Sequence, residues 1–86
     1  MPQETAKNQH PLAGYRKKVA ITLDTELDEV PRGIMLETTG DINAQLVDDE
    51  AVGVIPNVMG GMAHPLQVIK IATASTTATG TIWALY

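Results

Sequence analysis

The sequence has no cysteine and no phenylalanine, and its aromatic residues are limited to Tyr15, Trp83 and Tyr86. Without cysteine the chain forms no disulfide and offers no thiolate to a zinc ion. A single domain of 86 residues buries only about 60–65% of the surface that its unfolded chain exposes. Its core has to be built from aliphatic side chains, and we expect neighbouring subunits to complete it.

Basic residues and long apolar runs are also scarce. Six Lys and Arg residues against ten Asp and Glu residues give a formal net charge of −4, which argues against a protein that wraps nucleic acid. The one basic cluster, Arg16-Lys17-Lys18, is typical of a solvated strand edge. No apolar run is long enough to predict a membrane span, and the N-terminus lacks a signal-peptide pattern. We therefore expect a protein that stays in the cytoplasm or is assembled there into something larger.

Residue patterns that indicate catalysis or metal binding are missing from the sequence. His10 and His64 share no spacing with each other or with carboxylates that would define a metal site. The only serine, Ser75, lies in a threonine-rich segment without a nucleophile elbow. The acidic segment 24–29 begins like a calcium loop but lacks the central glycine and closing glutamate of an EF-hand. The sequence therefore predicts no enzyme, no cofactor and no metal.

Apolar residues alternate with polar ones in short segments separated by turn residues, which predicts strands. In the first segment Val19, Ile21 and Leu23 share one face. Gly40 is predicted to form a hairpin turn, and Pro56 is expected on an edge strand because it lacks an N–H group. A helix over residues 43–51 is the alternative, but the alternation fits better. The predicted strands cover residues 17–23, 34–38, 42–46, 52–58, 66–73 and 81–86.

This pattern predicts an all-β protein, a small antiparallel β-sandwich or barrel of about six strands. The predicted domain covers residues 17–86, and residues 1–16 form an extended N-terminal arm punctuated by proline and glycine. We expect the segment 66–86 to be a hairpin whose last residue, Tyr86, is paired in a sheet. Its final strand would add Trp83 to the aliphatic core.

Short motifs follow one another in a fixed order over residues 23–86: Asp24-Thr25, Pro31-Arg32-Gly33-Ile34, Thr39-Gly40-Asp41-Ile42, Gly60, His64-Pro65-Leu66 and the segment from Ile69 to Tyr86. This ordered set resembles the small head spike base proteins of tailed phages and gene transfer agents. The most specific motif is the ending, in which two apolar strands flank a Thr- and Ala-rich turn. The acidic turn 48–50 and the apolar loop 56–62 depart from the family pattern.

The resemblance implies a non-enzymatic structural protein of the virion, assembled in the host cytoplasm onto the capsid surface. It would form a homo-oligomeric base that contacts the major capsid protein and links the head to a spike or fibre. Two alternatives stay open: a decoration protein spread over the capsid lattice, and a carbohydrate- or receptor-binding module. Interface residues are expected outside the regular strands, in the arm and in the apolar loop: Leu12, Tyr15, Val58, Met59 and Met62.

Overall fold

The computed structural model of the chain describes residues 14–86, which form seven β-strands and no helix. In chain order the strands are β1 (Lys18–Ala20), β2 (Gly33–Leu36), β3 (Gly40–Leu46), β4 (Gly53–Val58), β5 (Ala63–His64), β6 (Val68–Ala72) and β7 (Ile82–Leu85).

The strands form two antiparallel sheets. The first sheet has four strands in the order β1-β7-β2-β5, and the second has three strands in the order β4-β3-β6. The predicted all-β fold is therefore confirmed, and its division into two sheets makes it a sandwich. The additional strand is β5, which lies within residues 59–65, a segment that the sequence predicted to be a loop. The predicted edge position of Pro56 is also confirmed, since β4 is an edge strand.

Side chains that alternate along β2 and β3 form the centre of the core between the sheets. Ile34 and Leu36 are 0% and 1% exposed, and Ile42 and Ala44 are 0% and 2% exposed. These inward faces are the ones that the alternation predicted. The rest of the buried cluster comes from β4, β6 and β7, and consists of Val58, Val68, Ile71 and Ile82.

The first strand is shorter than predicted. It ends at Ala20, although the N–H of Ile21 still donates to the carbonyl of Ile82 in β7 at 2.8 Å. The chain then crosses to the second sheet through Asp24, whose φ of 64° lies in the left-handed region. Ile21 packs against the core, but Val19 on the same face is 47% exposed because it lies in the edge strand.

Two predicted hairpins are wrong. Strands β2 and β3 belong to different sheets, and so do β6 and β7. Gly40 is the first residue of β3, where a Cβ atom would lie only 2.6 Å from the backbone of Ala78. The absence of a side chain at Gly40 therefore allows the segment 74–80 to pass close to β3. The connection from β2 to β3 and the connection from β6 to β7 both carry the chain from one sheet to the other.

The connection between β6 and β7 is held to β3 by threonine hydroxyls. The N–H of Asn43 donates to Oγ1 of Thr76 at 2.9 Å, and the N–H of Asp41 donates to Oγ1 of Thr77 at 2.9 Å. Each hydroxyl accepts a strand N–H that would otherwise need a backbone partner. This explains how a segment without regular strand structure provides hydrogen-bond acceptors for the N–H groups at the start of β3.

The C-terminal strand β7 occupies the centre of the first sheet, between β1 and β2. The N–H of Tyr86 donates to the carbonyl of Lys17 at 2.9 Å, which confirms the predicted pairing of this residue. Ile82 and Ala84 point inward, whereas Trp83 shares the outer face with Met35, its partner across the sheet. The expectation that Trp83 belongs to the core is therefore wrong.

Candidate interaction surface

Two of the predicted interface residues, Met59 and Met62, are exposed on an anchored loop. Their exposed fractions are 56% and 43%. Between them the N–H of Gly60 donates to Oγ1 of Thr39 at 2.9 Å, and Nε2 of His64 forms a hydrogen bond with the carbonyl oxygen of Met59 at 2.7 Å. The backbone is thus tied to the sandwich while the two thioether side chains reach solvent.

Val58 differs from the prediction. It was expected in an exposed loop, but it is the last residue of β4, paired with Gly40, and is 5% exposed. The predicted strand 52–58 includes this position, and as the last residue of β4 its side chain packs into the core. Val58 therefore offers no surface to a partner.

The other two predicted interface residues come from the arm. Leu12 lies outside the described residues. Tyr15 is half-buried on the first sheet: its hydroxyl oxygen lies 2.8 Å from the position that a Cβ atom at Gly33 would take, and its ring centroid lies 5.2 Å from Cζ of Arg32. Arg32 also donates a hydrogen bond to the carbonyl of Gly14. Residues 14–16 of the predicted arm therefore lie against the sandwich.

Tyr15 and the two methionines do not form one surface. Tyr15 contacts Gly33 at the start of β2, whereas the methionine loop is attached where β2 ends, through the N–H of Gly61 and the carbonyl of Leu36. Four residues of extended strand separate these points by roughly 10 Å. The structure therefore places the predicted contacts at opposite ends of the first sheet.

Two residues of the basic cluster lie over aromatic rings. Nζ of Lys17 is 5.0 Å from the ring centroid of Tyr86, and Nζ of Lys18 is 4.7 Å from that of Trp83. Lys17 also lies 3.9 Å from the carboxylate of Glu29, an exposed pair that contributes little to stability. Partial burial, followed by the nearby carboxylates, raises the pKa of the Tyr86 phenol above its usual value.

Exposed valines are the surface residues that sequence reasoning missed. They lie on both edges of the sandwich and beside the acidic turn 48–50. The signal was present, because valine flanks this turn on both sides and Pro56 marks an edge. These side chains are Val19, Val30, Val47, Val52 and Val54, with exposed fractions of 47%, 41%, 42%, 36% and 52%.

An open groove of about 350 Å³ runs beside β1. Val19 and Ile21 from the edge of the first sheet form one wall, and Leu27 with Glu29 from the acidic segment forms the other. The groove leaves the outward side of β1 accessible. As an edge strand, β1 pairs only with β7, so every second residue directs its backbone N–H and C=O groups away from the sheet.

The acidic segment is organised by hydrogen bonds at its first residue. The carboxylate of Asp24 accepts hydrogen bonds from the N–H and Oγ1 of Thr73 at 2.9 and 2.6 Å, and these bonds lower the pKa of Asp24. Within residues 14–86, no three His, Asp or Glu side chains are close enough to hold a metal ion. Asp24 thus joins the segment to the end of β6.

Comparison with protein-family models, curated proteins and solved structures gave no match to this chain. Among residues 14–86, no helix is long and apolar enough to cross a lipid bilayer.

Proposed function

We propose that this protein is a non-enzymatic structural component of a phage virion. It would sit on the capsid surface as a homo-oligomeric base, with the major capsid protein on one side and a spike or fibre protein on the other. The observation that carries the proposal is the exposure of large hydrophobic side chains. Seven of them, each at least 36% exposed, lie in the described part of a chain of 86 residues.

Three of the seven, Val47, Val52 and Val54, lie around one turn, and apolar side chains grouped in this way suit a subunit that is covered in an assembly. The fold agrees with this role. A two-sheet sandwich with a thin aliphatic core gains stability when neighbours cover its edges. The ordered motifs between Asp24 and Tyr86 add the resemblance to head spike base proteins described above.

The copy number of the chain in purified particles tests the proposal. We expect quantitative mass spectrometry to find the chain with the major capsid protein, at a much lower copy number, as a base confined to certain positions requires. Near-equal copy numbers would instead indicate a decoration protein over the lattice. Particles without the chain would contradict both structural roles.

One observation favours a second candidate, a carbohydrate-binding module. Trp83 is half-buried on the outer face of the first sheet, and Nζ of Lys18 lies 4.7 Å from its ring centroid, so an aromatic ring is flanked by a polar group as in many sugar sites. Glycan titration followed by the fluorescence of Trp83, the only tryptophan, tests this candidate. A saturable change is expected for a binding module, and an unchanged spectrum contradicts it.

A further inference from the structure

Strand β1 is the sheet edge that the fold leaves open to a further strand. The edge at β6 is paired with the segment 24–27, because the N–H groups of Asp24 and Leu27 donate to carbonyls of β6 at 2.8 Å. The edge at β4 contains Pro56, which lacks an N–H group, and the edge at β5 has only two residues. All three residues of β1 are exposed, so this edge is the one suited to accept another strand.

The hydrogen bonds between β1 and β7 determine which backbone groups of β1 are free. The N–H of Ile21 donates to the carbonyl of Ile82 in β7 at 2.8 Å. In an antiparallel pair such bonds recur at every second residue, so the backbone of Val19 also faces β7. Lys18 and Ala20 therefore direct their N–H and C=O groups away from the sheet, where no strand within residues 14–86 pairs with them.

These free groups match those of a second copy of β1 that runs antiparallel to the first. With Val19 of one copy opposite Val19 of the other, Lys18 of each copy lies opposite Ala20 of the other. Each of these opposed pairs then exchanges both of its backbone hydrogen bonds. The two valines, each 47% exposed in one copy, cover each other at the centre of the contact. The edge is therefore complementary to itself in backbone and in apolar surface.

Charge favours the antiparallel orientation. Arg16 precedes β1 and forms no ion pair within residues 14–86, and the acidic segment 24–29 follows the strand. In the antiparallel arrangement Arg16 lies opposite Thr22 of the second copy, beside the start of that copy's acidic segment. A parallel arrangement would place the basic residues of both copies side by side, where they repel each other.

The other two residues of the basic cluster keep the contacts that they make within one copy. Lys17 stays 3.9 Å from Glu29, and Lys18 stays over the ring of Trp83 on the outer face of the sheet. Because Lys18 lies opposite Ala20, the small methyl group of the second copy leaves room for the lysine side chain. The contact therefore requires neither lysine to leave its present partner.

We propose that β1 pairs antiparallel with β1 of a second copy of this chain, so that the four-stranded sheets of two copies become one continuous sheet. This inference rests on the self-association in the proposed function and names its contact. The occupant is the same chain because β1 itself supplies the free backbone groups, the central valine and the preceding cation that the edge accepts. The contact is isologous, with Val19 at its two-fold axis, and it closes at two copies.

A disulfide between copies tests the register, since the chain has no cysteine of its own. The two Cα atoms of an antiparallel pair without mutual hydrogen bonds are about 4.5 Å apart, a distance that a disulfide spans. We expect oxidation of the full-length Val19→Cys chain to give a covalent dimer on a non-reducing gel. Val54→Cys is the matched control, because Val54 is a valine of an edge strand that is 52% exposed, and it should cross-link at least tenfold more slowly.

Charges at the two-fold axis test its position by sedimentation velocity of the full-length chain. Val19→Lys and Val19→Glu each place two like charges opposite each other, and we expect each variant alone to lose at least tenfold in the association constant of the dimer. An equimolar mixture of the two variants regains dimers, because a lysine then faces a glutamate. Val54→Lys, the matched control, associates like the unaltered protein. Circular dichroism confirms that all chains are folded.

Other outcomes overturn the contact. A monomeric unaltered protein does so, and would leave the edge at β1 to a different kind of partner. Folded Val19 variants that associate like the unaltered protein also overturn it, as does a mixture of them that stays dissociated, or a Val19→Cys chain that cross-links no faster than Val54→Cys. None of these outcomes bears on the copy number in purified particles, so a failure here is distinguishable from a failure of the proposed function.

Discussion

Replacing Thr76 with valine tests how the connection between the sheets is stabilised. Its hydroxyl donates to the carbonyl of Ala72 at 2.6 Å and accepts from the N–H of Asn43 at 2.9 Å, and both bonds are partly buried. Valine has nearly the same shape but forms neither bond. The substitution therefore leaves a carbonyl and an amide without these partners while the packing volume stays almost constant.

The expected cost follows from the number and burial of the lost bonds. A typical hydrogen bond contributes about 1 kcal/mol net, and a fully buried orphan group costs about 1–3 kcal/mol. Because the site is only partly buried, water restores some of the loss, and we expect Thr76→Val to lower the free energy of unfolding by about 2 kcal/mol. For a domain of this size that corresponds to a decrease in Tm of roughly 8–16 °C.

Urea and thermal unfolding, followed by far-UV circular dichroism and the fluorescence of Trp83, measure this loss. Thr76→Ser keeps the hydroxyl and should recover most of the stability. Thr25→Val is the matched control, since Thr25 is exposed and its hydroxyl forms no hydrogen bond within residues 14–86, and it should change stability by less than about 0.5 kcal/mol. A Thr76→Val chain as stable as the unaltered protein would refute the reasoning.

Three further perturbations test other parts of the structure. The lowered pKa of Asp24 makes a contribution to stability that is present above the unfolded pKa and is lost as pH falls through the folded pKa. Asp24→Asn should therefore flatten the loss of Tm in acid below about pH 4, and an unchanged slope would contradict this contribution. Gly40→Ala places a methyl group 2.6 Å from backbone atoms and should cost about 1–3 kcal/mol by urea unfolding, while Gly53→Ala, with no atom within 4 Å of the new Cβ, should be neutral. Deleting Ile82–Tyr86 removes the strand between β1 and β2 and should abolish the cooperative thermal transition, so a sharp transition in the shortened chain would contradict the central position of β7.

The sequence predicted the faces of strands better than their partners. Alternation along 34–36 and 42–44 identifies inward residues because the side-chain period of a strand is local. The partner of a strand is not local: residues 66–86 have the pattern of a hairpin, yet β6 and β7 join different sheets. Threonine hydroxyls and the close passage at Gly40 hold the connecting segment, and their effect depends on which strand lies beside it.

The candidate surface was only partly predictable for the same reason. Exposure of the methionines followed from glycines that exclude them from a regular strand. Val58 was misplaced because the predicted strand 52–58 overlaps the apolar loop 56–62, and the local pattern does not decide to which of the two its side chain belongs. Val19 shows the general difficulty. It has the same alternation as Ile21, but it is 47% exposed because its strand lies at the edge of the first sheet.

The free edges themselves follow from the way the chain leaves each sheet. Residues 24–27 pair with β6 instead of extending β1, so one edge of the second sheet is covered while the edge at β1 stays open. Pro56 limits pairing at β4 without covering its valines. Exposed apolar edges favour aggregation unless they are charged or occupied. Here both edges carry charge: the turn 48–50 that leads into β4 is acidic, and β1 has Lys17 and Lys18 on one side and Glu29, 3.9 Å from Lys17, on the other. These charged side chains oppose unspecific pairing of the edges, so the exposed valines do not by themselves make either edge a site of aggregation.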